Sequence, residues 1–485
     1  MDAKPMTPAR CAMRMPAAMY DALHAHLFPG DGDEHGAVIE AGLARTPEGY
    51  VLVARDLHLA REDVDWLPGQ RGYRMMPAGY ILKRVRECRD QRLVYLAVHN
   101  HGGRDAVAFS PVDLESHVRG FPALLDIVQG LPVGSLVFAE EAVAGDIWLP
   151  GGRRLVLNGL TVVGRRRVRL TARPEARAGV FDPRYDRQVR MFGAEGQAVL
   201  RGAKVAIVGL GGVGILLAEY LGRLGVGAFV LVDPDRVQPS NIPRLADASD
   251  WDAMTWLVDE HRPAWLRRLG FRLATRKIDL AERIIKRANR QARITPFFST
   301  MEERDVVEAI KGCDYVFLAA DGHRARRLLN ALVHQFLIPG VQLGSRIQSD
   351  GATGDLVNVH TTVRLVTPDA GCLLCNGAVS TARLQEESVS PEMRRRQKYT
   401  DEPDIAAPSV ITLNALTASQ AANDFLFYMT GMTSPDAFGG YLQAHPLDRK
   451  VKSVRPRRDD DCPDCGSSVG SRRACGDEAP IPLID

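Results

Sequence analysis

Residues 204–244, KVAIVGLGGVGILLAEYLGRLGVGAFVLVDPDRVQPSNIPR, decide the fold of the larger part of this chain. The stretch contains a short apolar run, a glycine turn, a segment with helical periodicity, a second apolar run and an acid. This order predicts strand, turn, helix and parallel strand, the repeating unit of a doubly wound α/β sheet. The five features lie, in order, at 205–208, 209–214, 215–224, 229–232 and Asp233.

The glycine turn predicts a nucleotide site. Bare backbone at Gly209, Gly211, Gly212 and Gly214 lets the chain approach a phosphate, and the helix that follows offers free N–H groups and the positive end of its dipole. Asp233 can accept hydrogen bonds from ribose hydroxyls. Dinucleotide dehydrogenases and folds without catalysis share this pattern, so the residues further along the chain must show which class of nucleotide-binding protein this is.

The composition indicates a globular protein of two or three domains. The chain has 485 residues, of which 45% are apolar and 25% are charged, and its formal net charge is +3. So balanced a charge gives no reason to expect binding to nucleic acid or to a membrane. No apolar run is long enough to span a bilayer, and the first residues lack the apolar core of a secretory signal, so we expect a cytoplasmic protein.

A stretch with two prolines and few apolar residues, 173–183, predicts a linker between two domains. Residues 1–172 alternate short apolar runs with helical patterns, which predicts a mixed α/β domain, and 184–485 form the doubly wound domain. Within the second domain, 245–275 look like an insertion with three tryptophans, interpreted as a helical lid or a dimer contact. We expect the last residues, 452–485, to be frayed.

A pair of histidines in the first domain predicts a metal site. His99 and His101 follow an apolar run, and on a strand their side chains point the same way. Asp113, at the start of the next predicted helix, can close the site. Two imidazoles and a carboxylate can hold zinc and leave a fourth position for a water molecule, which the metal turns into a nucleophile.

Two further residues complete a hydrolase site. Glu34 precedes a strand and can take the proton of the water, while Glu40, inside the strand, is the rival candidate. Ser110 would lie near the water and could donate to a developing oxyanion.

This pattern of Glu, His-x-His and Ser-x-x-Asp resembles the JAMM family of zinc isopeptidases, also called JAB or MPN-plus, over about residues 17–170. The resemblance implies a catalytic Zn²⁺ on His99, His101 and Asp113. It further implies that Glu34 is the general acid/base and that Ser110 stabilises the intermediate. Such enzymes cut peptide or isopeptide bonds after the C-terminal glycine of ubiquitin-like proteins.

The sequence departs from that family at two points. Asn100 stands between the histidines where Ser or Thr is often found. The gap from His101 to Ser110 is one residue longer than in many eukaryotic members. Neither departure removes a ligand.

The residues that follow the glycine turn suit phosphate and Mg²⁺ better than a hydride acceptor. Asn241 and Arg244 lie one helical turn apart, and Lys277 opens a predicted helix. Asp321 follows the apolar run 315–320, at the carboxyl edge of the sheet, where it can hold Mg²⁺ through water and phosphate oxygens. With Arg187 upstream, the set fits attack by a carboxylate on the α-phosphate of ATP.

In family order, these motifs resemble the ubiquitin-activating superfamily in its bacterial ThiF/MoeB form, from about Arg184 to Cys465. The resemblance implies a Rossmann-like adenylation domain that forms a homodimer, in which Arg187 reaches the ATP of the other subunit. The implied ATP and Mg²⁺ contacts come from Asp233 (ribose), Asn241, Arg244 and Lys277 (triphosphate), and Asp321 (Mg²⁺). Asp235, in the same Asp-Pro-Asp motif, is a further candidate for binding the nucleotide, although it could merely cap the turn. The usual Asp-Asn is Asp321-Gly322 here.

Four of the eight cysteines form two C-x-x-C pairs, Cys372/Cys375 and Cys462/Cys465. Four thiolates with this spacing predict a structural Zn²⁺, and ThiF/MoeB-type proteins carry the same pairs. Activating enzymes of the eukaryotic type usually place a catalytic cysteine in the segment after the first pair, but 376–461 contain none. Cys475, on the tail, remains a candidate, but we expect the acyl-adenylate to pass directly to a partner.

The two resemblances together imply one chain with two activities on a ubiquitin-like protein. One adenylates its C-terminal glycine with ATP, and the other processes or deconjugates it. A bacterial conjugation system with a conjugating enzyme, of the kind that could serve in anti-phage defence, is the first interpretation. The alternative is activation of a sulfur carrier for thiamin, molybdopterin or cysteine synthesis, with the protease trimming the carrier. A third is a binding scaffold without catalysis.

Overall fold

The computed structural model describes residues 10–61, 64–65, 76–174, 182–349, 355–388, 408–433, 440–468 and 470–482. Contacts divide the chain into two compact units. The first comprises 1–177, 334–337 and 466–480, and the second comprises 178–333, 338–465 and 481–485. Each unit has its own sheet and its own apolar core.

The first unit is a mixed α/β structure. Its strands are β1 (Arg10–Pro16), β2 (Gly36–Thr46), β3 (Gly49–Leu59), β4 (Val94–Asn100), β5 (Val133–Phe138), β6 (Val143–Trp148), β7 (Arg154–Val163) and β8 (Val168–Leu170). Its helices are α1 (Ala17–Leu27), α2 (Ala78–Gln91) and α3 (Pro111–Val128). The sheet order is β1-β3-β2-β4-β5-β6-β7-β8, and β1 also pairs with β7, so the sheet closes into a ring.

Strand β1 is a strand that the sequence pattern does not single out. Its residues alternate in burial, with Cys11, Met13 and Met15 in the core and Arg10 on the solvent side. This period of two is the mark of a strand, but a pattern of only three alternating buried side chains is short and easily missed. The strand is stabilised by parallel pairing on both sides, with β3 and with β7.

The second unit is a doubly wound sheet with an antiparallel extension. Its strands are β9 (Lys204–Val208), β10 (Ala228–Val232), β11 (Arg293–Phe297), β12 (Tyr315–Leu318), β13 (Gly340–Ser349), β14 (Leu356–Val366), β15 (Tyr441–His445) and β16 (Lys450–Val454). They lie in the order β11-β10-β9-β12-β13-β14-β15-β16, and the first five are parallel. Because the winding reverses between β9 and β12, a crevice opens at the carboxyl ends of these strands.

The helices of this unit are α4 (Asp186–Gly202), α5 (Gly212–Leu224), α6 (Asp250–Ala253), α7 (Thr255–Val258), α8 (Ala264–Leu273), α9 (Lys277–Ala288), α10 (Arg304–Lys311), α11 (His323–Phe336), α12 (Thr381–Ser388) and α13 (Ile411–Thr430). One core cluster joins the buried face of the sheet to α5, α9 and α13. Strand β9 is apolar along nearly its whole length, as expected for a strand covered on both faces.

Three expectations need correction. Helix α5 begins at Gly212 and not at residue 215, because the glycine at the cap, Gly211, lets the turn run directly into the helix. Strand β12 ends at Leu318, two residues earlier than expected. The tail is not frayed in the first unit, since Asp477 donates its backbone N–H to Leu43 and accepts from the backbone N–H of Arg45.

Residues 245–275 form the short helices α6, α7 and α8, and Asp252 ties the two ends of this segment together. Its carboxylate accepts from the hydroxyls of Ser249 (2.8 Å) and Thr275 (3.0 Å) and pairs with Arg283 (2.9 Å). Burial alone would raise the pKa of Asp252, but these hydrogen bonds outweigh it and hold the pKa at about 2. Among the described residues, no helix is both long and apolar enough to cross a membrane.

Candidate functional site

The two histidines and the aspartate of the first unit converge. His99 and His101 lie at the end of β4, and Asp113 is the third residue of α3. Nε2 of His99 is 3.6 Å from Oδ1 of Asp113, and Nε2 of His101 is 3.4 Å from Oδ2. One nitrogen or oxygen from each residue lies within 4.8 Å of the others, close enough for all three to bind one ion.

The surroundings orient each of these groups as a metal ligand. Nδ1 of His101 is 3.1 Å from the carbonyl oxygen of Ala108, so with Nδ1 protonated its Nε2 is a lone-pair donor. Nε2 of His99 is buried and has no hydrogen-bond partner among the described residues. A buried nitrogen without a partner is costly, and a metal ion at this point would satisfy it. The donor set of two imidazoles and a carboxylate fits Zn²⁺.

Glu34, and not its rival Glu40, lies at this centre. Its Oε1 is 3.9 Å from Nε2 of His101, and burial raises its pKa although the two nearby imidazoles oppose the shift. Glu40 is buried elsewhere, 3.0 Å from His58 and 4.0 Å from Arg84. Only Glu34 of the two can therefore meet a group bound between the histidines.

Ser110 has a structural contact that the sequence does not reveal. It is the N-cap of α3, its hydroxyl donates to Oδ2 of Asp113 (2.7 Å), and its backbone N–H donates to the same oxygen (2.8 Å). The capping box thus fixes the carboxylate that faces the histidines. A groove of about 440 Å³ adjoins this centre and is lined by Phe109 and Leu114, with Arg154 among the remaining side chains.

In the second unit, the glycine turn has the geometry of a phosphate-binding loop. Gly209 has φ +86°, and a Cβ there would lie 2.8 Å from the backbone nitrogen of Ala320. A Cβ at Gly214 would overlap the carbonyl oxygen of Gly209, and one at Gly212 would overlap the Asn414 amide. Around Gly211, in contrast, there is open space, and this residue caps α5 without any side-chain hydrogen bond. The first turn of the helix therefore presents its N–H groups to the crevice.

Asp233 is buried at the end of β10 and is already hydrogen-bonded. One oxygen accepts from the backbone N–H of Leu210 (2.6 Å) and the other from that of Asp235 (2.8 Å). Burial raises its pKa, and nearby Lys277 acts in the opposite direction. The carboxylate thus joins the glycine turn to the Asp-Pro-Asp motif and keeps lone pairs available for a ribose.

Lys277, the first residue of α9, is held by the two acids of that motif. Its Nζ is 2.6 Å from Oδ2 of Asp235 and 3.8 Å from Oδ1 of Asp233. Its backbone N–H also donates to the carbonyl of Asp235 (3.0 Å). The lysine is therefore at the carboxyl end of β10, paired with a carboxylate that is itself 61% exposed.

The motif at 240–244 lies beside the start of α5. Asn241 ends a short 3-10 turn, and its Oδ1 accepts from the backbone N–H of Gln238 (3.3 Å). The carbonyl oxygen of Arg244 lies 3.4 Å from the place of a Cβ on Gly212, and its Nη1 donates to the carbonyl of Ser240 (3.0 Å). Arg244 is thus next to the glycine turn, with its guanidinium folded back onto residue 240.

Asp321 comes directly after the residue that touches Gly209, so the two strand ends meet as expected. It is exposed. A residue that the sequence does not single out lies beside it: the Glu387 carboxylate accepts from the backbone N–H groups of His323 and Arg324, both at 2.8 Å, at the start of α11. Burial lowers the pKa of nearby Arg326, while Asp321 and Glu387 oppose this shift. No local motif marks Glu387, because it approaches from α12.

Arg187 does not join these residues within one chain. It is exposed on the first turn of α4, and no hydrogen bond or ion pair links it to the glycine turn in the part of the chain that the structure describes.

The four cysteines of the two C-x-x-C pairs come together. Neighbouring Sγ atoms are 3.4 Å (Cys372–Cys375), 3.7 Å (Cys372–Cys462) and 3.6 Å (Cys375–Cys465) apart. Four thiolates at about 2.3 Å from one Zn²⁺ have edges of about 3.8 Å, so the cluster has the size of a tetrahedral zinc site.

Cys475 is held in place rather than free on a tail. Arg55 donates to its Sγ (2.8 Å), the thiol itself is 3.4 Å from the carbonyl of Ser471, and its neighbour Gly476 pairs with Leu43. Burial raises the pKa of this thiol, although Arg55 and Arg472 oppose the shift. A partly buried, protonated thiol is a poor nucleophile, which weighs against a thioester at this position.

Comparison with known proteins relates the second unit to adenylating enzymes. A family model described as the ThiF family matches residues 185–464. The SAMP-activating enzyme E1 of Haloferax volcanii is 27% identical over 291 residues, which cover 58% of this chain and 88% of that protein. A sulfur carrier protein adenylyltransferase of Thermus thermophilus is 26% identical over 304 residues (61% and 95%). A molybdopterin-synthase adenylyltransferase of Salmonella typhimurium is 31% identical over 170 residues (35% and 60%).

Proposed function

The chain belongs to the ThiF family, and we propose that its second unit adenylates the C-terminal glycine of a small, ubiquitin-like carrier protein. The supporting observation is the set of groups at one edge of the sheet: the open Gly211 turn, buried Asp233, Lys277 and exposed Asp321. In the proposed reaction the carboxylate of the carrier attacks the α-phosphorus of ATP and pyrophosphate leaves. The acyl-adenylate is the product.

Each residue at this edge has a defined task in the proposal. The N–H groups at the start of α5 bind phosphate oxygens, and Asp233 orients the ribose. Lys277, Arg244 and Asn241 contact the triphosphate, and Asp321 holds Mg²⁺. An exposed carboxylate at the end of a parallel strand fits a hydrated Mg²⁺, because that ion keeps several of its waters.

A sulfur-carrier system is the better supported setting for this activity. Two of the similar enzymes are named for sulfur-carrier and molybdopterin-synthase adenylylation. The placement of Cys475 agrees with direct transfer of the acyl-adenylate, as sulfur transfer requires. Conjugation to another protein, with a conjugating enzyme and a place in anti-phage defence, is the second candidate, favoured by the similarity to the SAMP-activating enzyme E1.

We further propose that the adenylating unit works as a homodimer. Arg187 is exposed, and within the described residues no hydrogen bond or ion pair links it to the glycine turn of its own chain, as is expected of a residue that completes the site of a second subunit. Two measurements test this part of the proposal. Sedimentation gives the oligomeric state of the intact protein, and nucleotide binding is compared between the wild type and the R187A variant. A monomer with full activity would contradict it.

For the first unit we propose a JAMM-type metallopeptidase that trims or releases the same carrier. The observation that supports it is the convergence of His99, His101 and Asp113 with Glu34 beside them. A Zn²⁺ bound there would polarise a scissile carbonyl and acidify a water molecule. Glu34 would hold the proton of that water, and Ser110 keeps the Asp113 carboxylate in place.

The two activities are tested separately on the intact chain. ATP–pyrophosphate exchange in the presence of a carrier protein ending in Gly-Gly should occur, and K277A should reduce it by about 100-fold or more, whereas K450A, on exposed strand β16, should not. If K450A and K277A behave alike, or no carrier supports exchange, the adenylation proposal is wrong.

Cleavage is measured on a carrier that carries a reporter peptide after its Gly-Gly. H101A should abolish cleavage and leave pyrophosphate exchange unchanged, because the two sites lie in different units. H261A, an exposed histidine on the insertion, is the matched control. Cleavage that survives in H101A would rule out the metallopeptidase.

The four-cysteine cluster completes the proposal as a structural Zn²⁺ site. The thiolates come from two segments far apart in sequence, so a metal there would join 372–375 to 462–465. Mass spectrometry of the native protein should find this zinc, and it should survive mild chelation because three of the four ligands, Cys372, Cys462 and Cys465, are buried.

A further inference from the structure

We propose that Asn100, the residue between the two histidines, is a positioning residue that holds Glu34 at the metal centre. The inference rests on the proposed peptidase function. Asn100 is only 6% exposed, and as the last residue of β4 it points to the opposite side from its two neighbours.

The side chain of Asn100 binds the chain on both sides of Glu34. Its Oδ1 accepts from the backbone N–H of His35 (2.6 Å), and its Nδ2 donates to the carbonyl of Asp33 (3.3 Å). The amide therefore spans the two peptide groups that flank the glutamate. A serine or threonine is too short to bridge both, which gives a physical reason for asparagine at this point.

The segment before Glu34 needs such an anchor. Gly30 and Gly32 both have positive φ, +92° and +75°, so this loop has a backbone with many accessible states. Within the loop, Asp31 accepts from the backbone N–H of Asp33 and lies 3.0 Å from the ring of His35, and that ring also packs against His26 of α1. The Asn100 amide instead ties the loop to the strand that carries the metal ligands.

Residues 99–101 thus position both the metal ion and the general base of the proposed reaction. His99 and His101 face the metal, while Asn100 sets the distance of 3.9 Å between Glu34 and His101. A shift of about 1 Å in a reacting group is enough to lower a rate by about 100-fold. Among the described residues, the side chain of Asn100 bonds to Asp33 and His35 and not to the ligand atoms.

The test uses the N100A and N100S variants of the intact protein, with N158A as the matched control. Asn158 also accepts a backbone hydrogen bond, from Cys11 at 2.9 Å, in the same unit. Backbone pairing of Asn100 with His35 (3.3 Å) remains in every variant, so the strand should still form. If N100A does not fold, N100S, which puts one hydroxyl in place of the amide, is used instead.

Three measurements follow. In N100A, kcat for cleavage of the Gly-Gly reporter carrier should fall about 100-fold, with KM unchanged within threefold. The kcat of N100S should lie between those of N100A and the wild type. Co²⁺, used as a spectroscopic probe of the metal site, should bind N100A within threefold of its affinity for the wild type. Amide hydrogen exchange at 33–36 should become about tenfold faster in N100A and stay unchanged in N158A.

A cycle with E34Q separates positioning from general damage. If Asn100 acts through Glu34, N100A should cost nothing further in an E34Q background. Equal kcat in N100A and the wild type, or a large loss of Co²⁺ affinity in N100A, overturns the inference. If the wild type cleaves no carrier, the proposed peptidase function is overturned instead. Amide hydrogen exchange in N100A then still decides whether Asn100 fixes residues 33–35.

Discussion

The D235N variant separates two roles of Asp235 that predict opposite results. The sequence assigns Asp235 to the nucleotide, whereas in the structure its carboxylate pairs with Nζ of Lys277 at 2.6 Å. If Lys277 is to bind a phosphate, it must give up part of this contact. Removing the charge of Asp235 should then leave the lysine freer for ATP and lower the KM for ATP.

The expected size follows from the exposure of the pair. The lysine side chain is 12% exposed, but the carboxylate is 61% exposed, so solvent weakens the attraction and the pair contributes about 0.2 to 1 kcal/mol. Loss of that competing contact therefore lowers the KM for ATP by about 1.4- to fivefold. The second, longer contact of Lys277 with Asp233, at 3.8 Å, keeps the lysine near the site in the variant.

The assay is pyrophosphate exchange at saturating carrier, with ATP varied and D448N as the control. Asp448 lies on the exposed turn before β16, in the same unit. A KM for ATP that rises at least threefold in D235N, with D448N unchanged, would refute the reasoning and show that Asp235 contacts the nucleotide. Raising the salt concentration should shrink the difference between D235N and the wild type, since the pair is solvent-exposed.

Three further predictions concern stability and metal binding. Burial raises the pKa of Asp424 to about 6, so between about pH 4 and 6 the native state keeps a proton that the unfolded chain has released, and stability is lost as the pH rises through this range. The D424N variant should therefore stabilise the second unit by about 2 to 3 kcal/mol at pH 7 and not at pH 3.5, as measured by urea unfolding. Equal gains at both pH values would contradict this. C465S should lower the zinc content of the intact protein by one ion per chain and destabilise the second unit in thermal melts, while C313S, at a buried cysteine outside the cluster, should keep the zinc. D252N should speed hydrogen exchange throughout 249–275, since it removes the charge that the Arg283 guanidinium pairs with, and unchanged exchange there would show that the segment is held by other contacts.

Local patterns in the sequence predict most of the fold, because the spacing of apolar residues within one element shows its type and which of its faces is buried. Strand β9, the glycine turn and β10 follow from residues that are adjacent in sequence. Strand β1 and the ordered tail do not, since each depends on partners far away in the chain. The pairing of Gly476 with Leu43 joins residues more than 400 positions apart, and no local pattern contains that information.

The same distinction holds at the candidate sites. Residues that lie at strand ends, such as His99, Asp233 and Asp321, can be predicted from the period of the strand and the rule that parallel strands end at one edge. Side chains that bind the backbone of a segment far away in sequence cannot be predicted in this way. Glu387 caps α11 from another helix, and its role is visible only when the two N–H groups at 2.8 Å are seen.

Both candidate centres share one physical arrangement, which explains why they can be stable while their reacting groups remain accessible. In each, the polar groups lie just beyond the end of a buried strand, where the ladder of backbone hydrogen bonds stops. A second side chain then satisfies the backbone freed at that point: Asn100 holds the loop before Glu34, and Asp233 accepts the N–H of Leu210 in the glycine turn. If this is the general cause of rigidity at both centres, the amide of Leu210 should exchange as slowly as those of β9. Fast exchange at Leu210 would mean that the turn becomes ordered only when nucleotide binds.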